Sequence, residues 1–566
     1  MPLDLPAVRR GFVNVPHGQV HYRYAGHGPP VVLLHDSPRS SVMHRALLQE
    51  LSQNFTAIAI DTPGYGLSTP LPADPRPEMA DFARALADTL EALGIERCPI
   101  YGFHTSSKTT LQFAIDHPDR VSLAIIEGLS LPPGGPSEDF ITQYMKPFVL
   151  SEDGSHLAAT WSKARDIFRF FPWFDKSARA RLPLDFPDDR FLHGYVLDML
   201  MSGEHYSVAY SAAMRYLALP KVATVRAPTV FMCRENDPLY VYLDSLPKEL
   251  PAGCSIERLT SDPDAWRARL IELFTRASDR GGDVRLPDAL ARPRLGETRG
   301  YVTLPHGQIA LRRYGPTDSA ARPLLMLHES PGSSVALPAL AASLAEDRVV
   351  YAIDLPGVGE SDPLSTPDAA SYADALLRLI DALGLPSVDV YAECTSSSLA
   401  MQLARQASNR IHALVLDAVP LLTSAERRAL WKQYCPAIAP RWDGGHLLTL
   451  WHRLRDQELS WPWSERGSGA LRRRTADLGG RRLHDLVVDL AKQPAHYGDA
   501  ALAGIEVDVK ALLREISQPV LLLEASADIR YASVPKVARA LPSATRSERA
   551  DRPEDRAAAI LKFLRT

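Results

Sequence analysis

Cysteine is scarce: five in 566 residues, at Cys98, Cys233, Cys254, Cys394 and Cys435. They are scattered, odd in number and free of CxxC pairs. That argues against a disulfide framework or a cysteine zinc site, and makes a reducing, cytoplasmic setting the expectation. Neither sign of charge is in excess, since 63 Lys and Arg face 67 Asp and Glu for a net −4. Bulk electrostatics therefore offers nothing to nucleic acid or to an anionic membrane. No apolar run approaches the roughly 20 residues a membrane helix needs. The opening Met-Pro-Leu-Asp-Leu-Pro lacks the basic and apolar regions of a signal peptide. What is there, 46% hydrophobic and 23% charged residues, matches an ordinary globular chain.

Its length is explained by an internal repeat. Gly11-Phe-Val-Asn-Val-Pro-His-Gly-Gln19 returns as Gly300-Tyr-Val-Thr-Leu-Pro-His-Gly-Gln308, and Leu34-His-Asp-Ser-Pro38 returns as Leu327-His-Glu-Ser-Pro331. Asp61-Thr-Pro-Gly-Tyr-Gly-Leu-Ser68 comes back as Asp354-Leu-Pro-Gly-Val-Gly-Glu-Ser361. The offset stays between 289 and 293 residues, so insertions are few and the halves should share one fold. The expected domains are 1–276 and 298–566, with an Arg-, Asp-, Gly- and Pro-rich linker at 277–297. In each half, short apolar runs alternate with amphipathic helical stretches, which means a mostly parallel sheet covered on both faces. The strand pattern stops over about 132–221 and 421–512, where aromatic-rich helices suggest an inserted helical cap.

The ordered motifs resemble the α/β-hydrolase family. Leu-Leu-His with a small-residue loop and Asp-x-Pro-Gly-x-Gly-x-Ser are followed by the turns Tyr101-Gly-Phe-His-Thr-Ser106 and Tyr391-Ala-Glu-Cys-Thr-Ser396. There the family carries its Gly-x-Ser-x-Gly nucleophile elbow. Pro228-Thr-Val-Phe-Met-Cys-Arg-Glu-Asn-Asp237 and Pro519-Val-Leu-Leu-Leu-Glu-Ala-Ser-Ala-Asp528 resemble the strand that ends in the catalytic acid. The resemblance implies two tandem α/β-hydrolase domains, each with its pocket at the C-terminal edge of the sheet. The triad itself is broken. His104 and Cys394 stand where the nucleophilic serine belongs, and no histidine precedes the last helix of either half.

The replacements are still ionisable. A cysteine at a helix start is favoured as thiolate, so Cys394 is a candidate nucleophile, with Glu329 as its proton acceptor and Asp528 orienting a cap histidine. His104 can serve as a base near neutral pH with Asp237. By family position Ser37 and Ser330 supply an oxyanion-hole N–H. Asp36 and Glu329 stand beside them where the family prefers glycine. A carboxylate about 4 Å from a developing oxyanion costs on the order of 4 kcal/mol at an effective dielectric of 20, which cancels much of the ~3–4 kcal/mol from one donor. Either that carboxyl is protonated or neutralised, or the chemistry is not simple acyl transfer. Arg39 is placed to pair with Asp36, and Gly332 leaves Glu329 without that partner.

The caps hold histidines at matched positions: His156 with His446, and His205 with His496. The latter pair, on helices returning to the sheet, are the better candidates to reach a pocket. His156 and His446 open the first cap helix. Each taken singly reads most simply as a structural histidine. Thr105 and Thr395, beside the elbows, join Arg39, Trp161 and Trp451 as candidates for the substrate wall, although the tryptophans equally suit cap core. His35 and His328, ending the first parallel strand, are expected to brace their loops. Asp36, His104, Asp237 and a cap histidine have metal-ligand chemistry, but the expectation is an enzyme with no metal or cofactor. That expectation is an unconventional hydrolase of a small, partly apolar ester, lactone, amide or activated C–C substrate. The alternatives are a lyase or cofactor-free oxygenase on the same fold, and a pseudoenzyme that binds a ligand.

Overall fold

A computed structural model of the chain describes residues 7–132, 134–278, 284–294 and 296–566. The first half holds eight strands: β1 (Arg9–Val15), β2 (Gly18–Ala25), β3 (Pro30–Leu34), β4 (Thr56–Ile60), β5 (Cys98–Phe103), β6 (Val121–Glu127), β7 (Thr229–Arg234) and β8 (Cys254–Leu259). The second repeats them as β9 (Thr298–Leu304), β10 (Gly307–Tyr314), β11 (Leu324–Leu327), β12 (Val350–Ile353), β13 (Val388–Glu393), β14 (Ile411–Asp417), β15 (Val520–Glu524) and β16 (Thr545–Glu548). The first sheet runs β1-β2-β4-β3-β5-β6-β7-β8, and the second has the same order shifted by eight. In the first sheet only β1–β2 and β2–β4 pair antiparallel, and the rest are parallel.

Apolar alternation sets the layers. In β3, Val31 and Leu33 face the helices Arg45–Leu51 and Pro263–Ala277, through Leu47, Leu48, Leu270 and Phe274. Val32 and Leu34 face Met79–Ala92 and Thr105–Asp116, through Ala83, Leu86, Leu90 and Leu111. Every residue of β4 is buried, as expected of a strand covered on both sides. Each such Val, Leu or Ile contributes about 1.5–3 kcal/mol on burial.

Among the described residues five α-helices lie between β6 and β7, and five between β14 and β15. These are the intervals where the strand pattern lapses. Contacts divide the chain into two units: residues up to Val149 with Ser162–Ala289, and Leu150–Trp161 with Leu290–Thr566. Leu150–Trp161 thus packs with the second unit, although its place in the sequence assigns it to the first. The helix Pro263–Ala277 ends where the expected 277–297 linker begins, and β9 starts directly after it. Residues 279–283 and 295 of that linker lie outside the described residues. Among the described residues no helix is long and apolar enough to cross a membrane.

Candidate active site

In both halves a strand runs straight into a helix through one residue held at positive φ. His104 joins β5 to Thr105–Asp116 at φ 49° and ψ −108°, and Cys394 joins β13 to Thr395–Gln406 at φ 49° and ψ −120°. A non-glycine residue there costs on the order of 1–3 kcal/mol. The surroundings hold it. His104 N–H donates to Glu127 O at 3.0 Å and Cys394 N–H to Asp417 O at 2.7 Å. Gly102 lets the turn close, because a Cβ there would meet Ser106 O at 2.5 Å.

In the first domain this elbow delivers His104 to Asp237, three residues past β7. Nε2 lies 2.7 Å from Asp237 Oδ2, and Oδ1 accepts Leu239 N–H at 2.8 Å. The imidazole stacks on Phe103 at a 4.0 Å centroid distance. Nδ1 has no hydrogen bond to a described residue, and the side chain remains 30% exposed against 8% for Asp237. Burial works against the imidazolium, but the bond to and charge of Asp237 outweigh it and hold His104 above the ordinary histidine value. Burial also works against the Asp237 carboxylate, and the His104 contact outweighs it, leaving Asp237 below its ordinary value. The result is a partly exposed histidine–carboxylate dyad with one imidazole nitrogen uncommitted among the described residues, an arrangement suited to taking a proton.

The neighbouring loop differs from the sequence expectation. Arg39 turns its guanidinium to Asp198, at 2.8 Å, where Ser40 Oγ also donates at 2.6 Å, and not to Asp36. Asp36 Oδ1 is buried and has no hydrogen-bond partner among the described residues. Ser37 N–H donates to Thr105 Oγ1 at 2.7 Å. His35 braces the loop, its Nδ1 2.8 Å from Asp36 O and its Nε2 accepting Thr62 N–H at 2.9 Å. His328 does the same with Glu329 O and Leu355 N–H.

The second domain is closed around its elbow. Cys394 is wholly buried, and burial pushes its thiol up to about 12. The thiolate expected from the helix start is not favoured here, because desolvation outweighs the helix dipole and Arg530. The charge of Arg530 favours the Cys394 thiolate, and its guanidinium pairs with Glu329 at 2.9 Å. Glu329 thus has a partner after all, its Oε2 engaged by that guanidinium. Asp528 orients no histidine. Arg472 grips its carboxylate at 3.1 and 3.2 Å, and Glu458 binds Arg474 and Arg482 beside it. Ser330 and Thr395 are tied to each other, Thr395 Oγ1 donating to Ser330 O at 3.1 Å.

The inserted helices do not bring their histidines to either elbow. His496 Nδ1 pairs with Asp499 at 2.9 Å and the side chain is 42% exposed. His205 is likewise exposed, beside Gly64. Within the second unit, His156 Nε2 meets His484 Nδ1 at 3.1 Å, and His446 Nδ1 accepts Arg441 N–H at 3.2 Å. Trp161 and Trp451 form a reciprocal packing motif in that same unit. His156 meets Trp451 edge-on and His446 meets Trp161 edge-on, each at 5.2 Å. Gly154 lies against Trp451 and Gly444 against Trp161. These tryptophans are packing residues, so their repetition in both halves follows from fit. Arg530, Arg472 and Glu458 went unnoticed in the sequence. The available signal was Arg530 itself, which stands where the first half has Leu239. Among the described residues no group of three or more His, Cys, Asp or Glu is arranged to hold a metal ion.

Comparison with known proteins agrees with this architecture. A family described as alpha/beta hydrolase fold matches residues 29–240 and 322–528. Haloalkane dehalogenase 2 of Mycobacterium tuberculosis is 30% identical over 104 residues, 18% of this chain and 36% of that protein. The 2-hydroxy-6-oxo-6-phenylhexa-2,4-dienoate hydrolase of Comamonas testosteroni is 32% identical over 120 residues, 20% of this chain and 40% of that protein. The chain thus spans about two fifths of the length of these curated relatives. Among solved structures, the enol-lactonase from Burkholderia xenovorans LB400 aligns at a TM-score of 0.38 and 15% identity, over 47% of this chain and 100% of that one. With the family match covering most of both repeats, the chain belongs to the α/β-hydrolase fold family in each of its halves.

Proposed function

We propose that the first domain is a hydrolase in which the His104–Asp237 dyad activates water directly, without a covalent intermediate. The observation that carries this is the 2.7 Å contact between a partly exposed elbow histidine and the acid of the fold. In the family's usual arrangement a serine and a separate histidine fill this space. Here one imidazole spans it, so the base stands where the nucleophile would and a water takes the nucleophile's part. Asp237 fixes the ring and stabilises the imidazolium that forms when His104 accepts the water proton. The substrate class is a small, partly apolar ester, lactone, amide or activated C–C compound in the cytoplasm. The aromatic side chains of the inserted helices support the apolar part: Phe191 and Tyr195 flank Arg39 at 5.2 and 5.5 Å. The second domain, with a sealed thiol and an acid held by arginine, is a companion domain without its own turnover.

A panel of p-nitrophenyl esters and lactones, assayed with the full chain, tests the reading. On a responding substrate His104→Ala should lower kcat/KM by about 100-fold or more, while Cys394→Ala leaves it within about twofold. Labelled solvent oxygen should enter the product, which a lyase or an oxygenase would not require. Full activity in His104→Ala sinks the proposal.

A further inference from the structure

Hydrolysis by water attack makes the substrate's carbonyl oxygen negative, and a site that runs it needs donors aimed at that oxygen. In the first domain one position is already taken. Ser37 N–H, which the fold places beside the elbow, donates to Thr105 Oγ1 at 2.7 Å, and Thr105 Oγ1–H returns to Ser37 Oγ at 3.1 Å. The two residues satisfy each other.

Asp36 is the next residue back. Its backbone is pinned, with His35 Nδ1 at 2.8 Å and Arg39 N–H at 3.0 Å from its carbonyl oxygen. Its Oδ1 is buried without a partner among the described residues. The guanidinium that could neutralise it, Arg39, is committed to Asp198. The charged and titratable groups facing Asp36 are His35, Arg39, His104 and Asp198, with the phenols Tyr65, Tyr101 and Tyr195. An ionised carboxylate here would have an unsatisfied oxygen and would also repel a developing oxyanion. The neutral acid lowers the first cost, since an unpaired neutral carboxyl is cheaper to bury than an unpaired charge, removes the second, and carries an O–H to donate.

We infer that Asp36 is a catalytic residue that works as the neutral acid, giving its O–H to the substrate's carbonyl oxygen while His104 takes the proton from water. The inference rests on the hydrolytic reading above. The water oxygen bonds to the carbonyl carbon and the C–O π pair moves onto the oxygen, which Asp36 stabilises. As that pair returns, the bond to the leaving group breaks, the Asp36 proton stays with Asp36, and His104 gives its proton to the leaving atom. Atoms and charge balance, and no further reactant is needed. Burial of the carboxyl supports the protonated form, since it raises Asp36 above the usual carboxylate range despite Arg39, His104 and His35. The second domain supplies the contrast. Glu329 Oε2, at the same position, is paired with Arg530 at 2.9 Å, a guanidinium partner that Asp36 lacks.

Asp36→Asn and Asp36→Ala, made in the full chain, separate the possibilities. The amide of Asp36→Asn keeps an N–H donor that does not ionise. It should hold kcat within about tenfold of the parent and lose the fall in rate at alkaline pH. Asp36→Ala has no donor, and kcat should drop about 100- to 1000-fold with KM changed less than threefold. Unchanged kcat in Asp36→Ala, or an alkaline limb that persists in Asp36→Asn, overturns the inference. His104→Ala distinguishes the two readings. If it remains active, the hydrolytic reading itself fails; if it is inactive while Asp36→Ala is normal, only the role of Asp36 fails.

Discussion

Alanine at Gly128 is the sharpest probe of the dyad. Gly128 follows β6 at φ +67°, and a Cβ there would lie 2.5 Å from His104 Cδ2 and 3.0 Å from Nε2. Both contacts are with a ring held by Phe103 on one face and by Asp237 at its end. The imidazole must therefore shift, and the 2.7 Å bond to Asp237 is what the shift loses. A hydrogen bond to a charged group contributes about 1.5–3 kcal/mol, and a side chain in the left-handed region costs roughly 1–2 kcal/mol more. Gly128→Ala should destabilise the first domain by about 2.5–5 kcal/mol by these two effects. The lost bond alone should cut kcat/KM by about 10- to 150-fold. The second domain holds the natural control: Ala418 occupies the same place at φ 61°, beside the smaller Cys394. His104→Cys in the Gly128→Ala background should accordingly recover part of the stability and none of the activity. Urea denaturation of the four proteins of this cycle, with kcat/KM for each, measures the coupling. A coupling near zero with kcat/KM preserved in Gly128→Ala would show that the imidazole does not act from where it stands.

The pH dependence has a definite sign. His104 must be neutral to accept a proton, so kcat/KM should rise with pH through a value above that of an ordinary histidine, and Asp237→Asn should move this limb to lower pH while depressing the maximum. In stability, the raised His104 value contributes fully below the unfolded histidine value and is lost as pH rises through the folded one. The depressed Asp237 value contributes above the unfolded carboxylate value and is lost as pH falls through the folded one. The pair is thus strongest between the unfolded Asp and His values, and Asp237→Asn should flatten the stability curve there, as denaturant titrations across pH would record. In the second domain, Arg472→Met strips Asp528 of its closest partner and should cost about 3–5 kcal/mol. Arg472→Met with Asp528→Leu should regain most of that, and a loss under about 1 kcal/mol in the single variant would contradict the buried-pair account.

The fold was legible because the repeat supplied every motif twice in the same order, and two copies at a steady offset leave little freedom for element order. His104, Asp237 and Asp36 were legible as candidates because elbow, acid strand and oxyanion loop each carry local signatures. Their partners were not. Arg39 looked nearest to Asp36 along the chain, yet its guanidinium goes to a helix 159 residues away. Glu329 finds Arg530 only because the segment after the acid strand reaches across two intervening strands to the loop after the first parallel strand. The inserted helices misled for a physical reason: matched Asp, His and Trp at fixed spacing report shared geometry, and buried packing imposes that as strictly as chemistry does.

The reciprocal contacts of Gly154 with Trp451 and Gly444 with Trp161 also constrain how the two copies can evolve. After a duplication, each copy is ordinarily free to drift while the other keeps the fold. Here a Cβ at Gly154 would come within 2.9 Å of the Trp451 ring, and one at Gly444 within 2.6 Å of Trp161. A change in one copy is therefore tested at once against an unchanged residue of the other. The elbows diverged to histidine and cysteine while this small motif stayed the same on both sides.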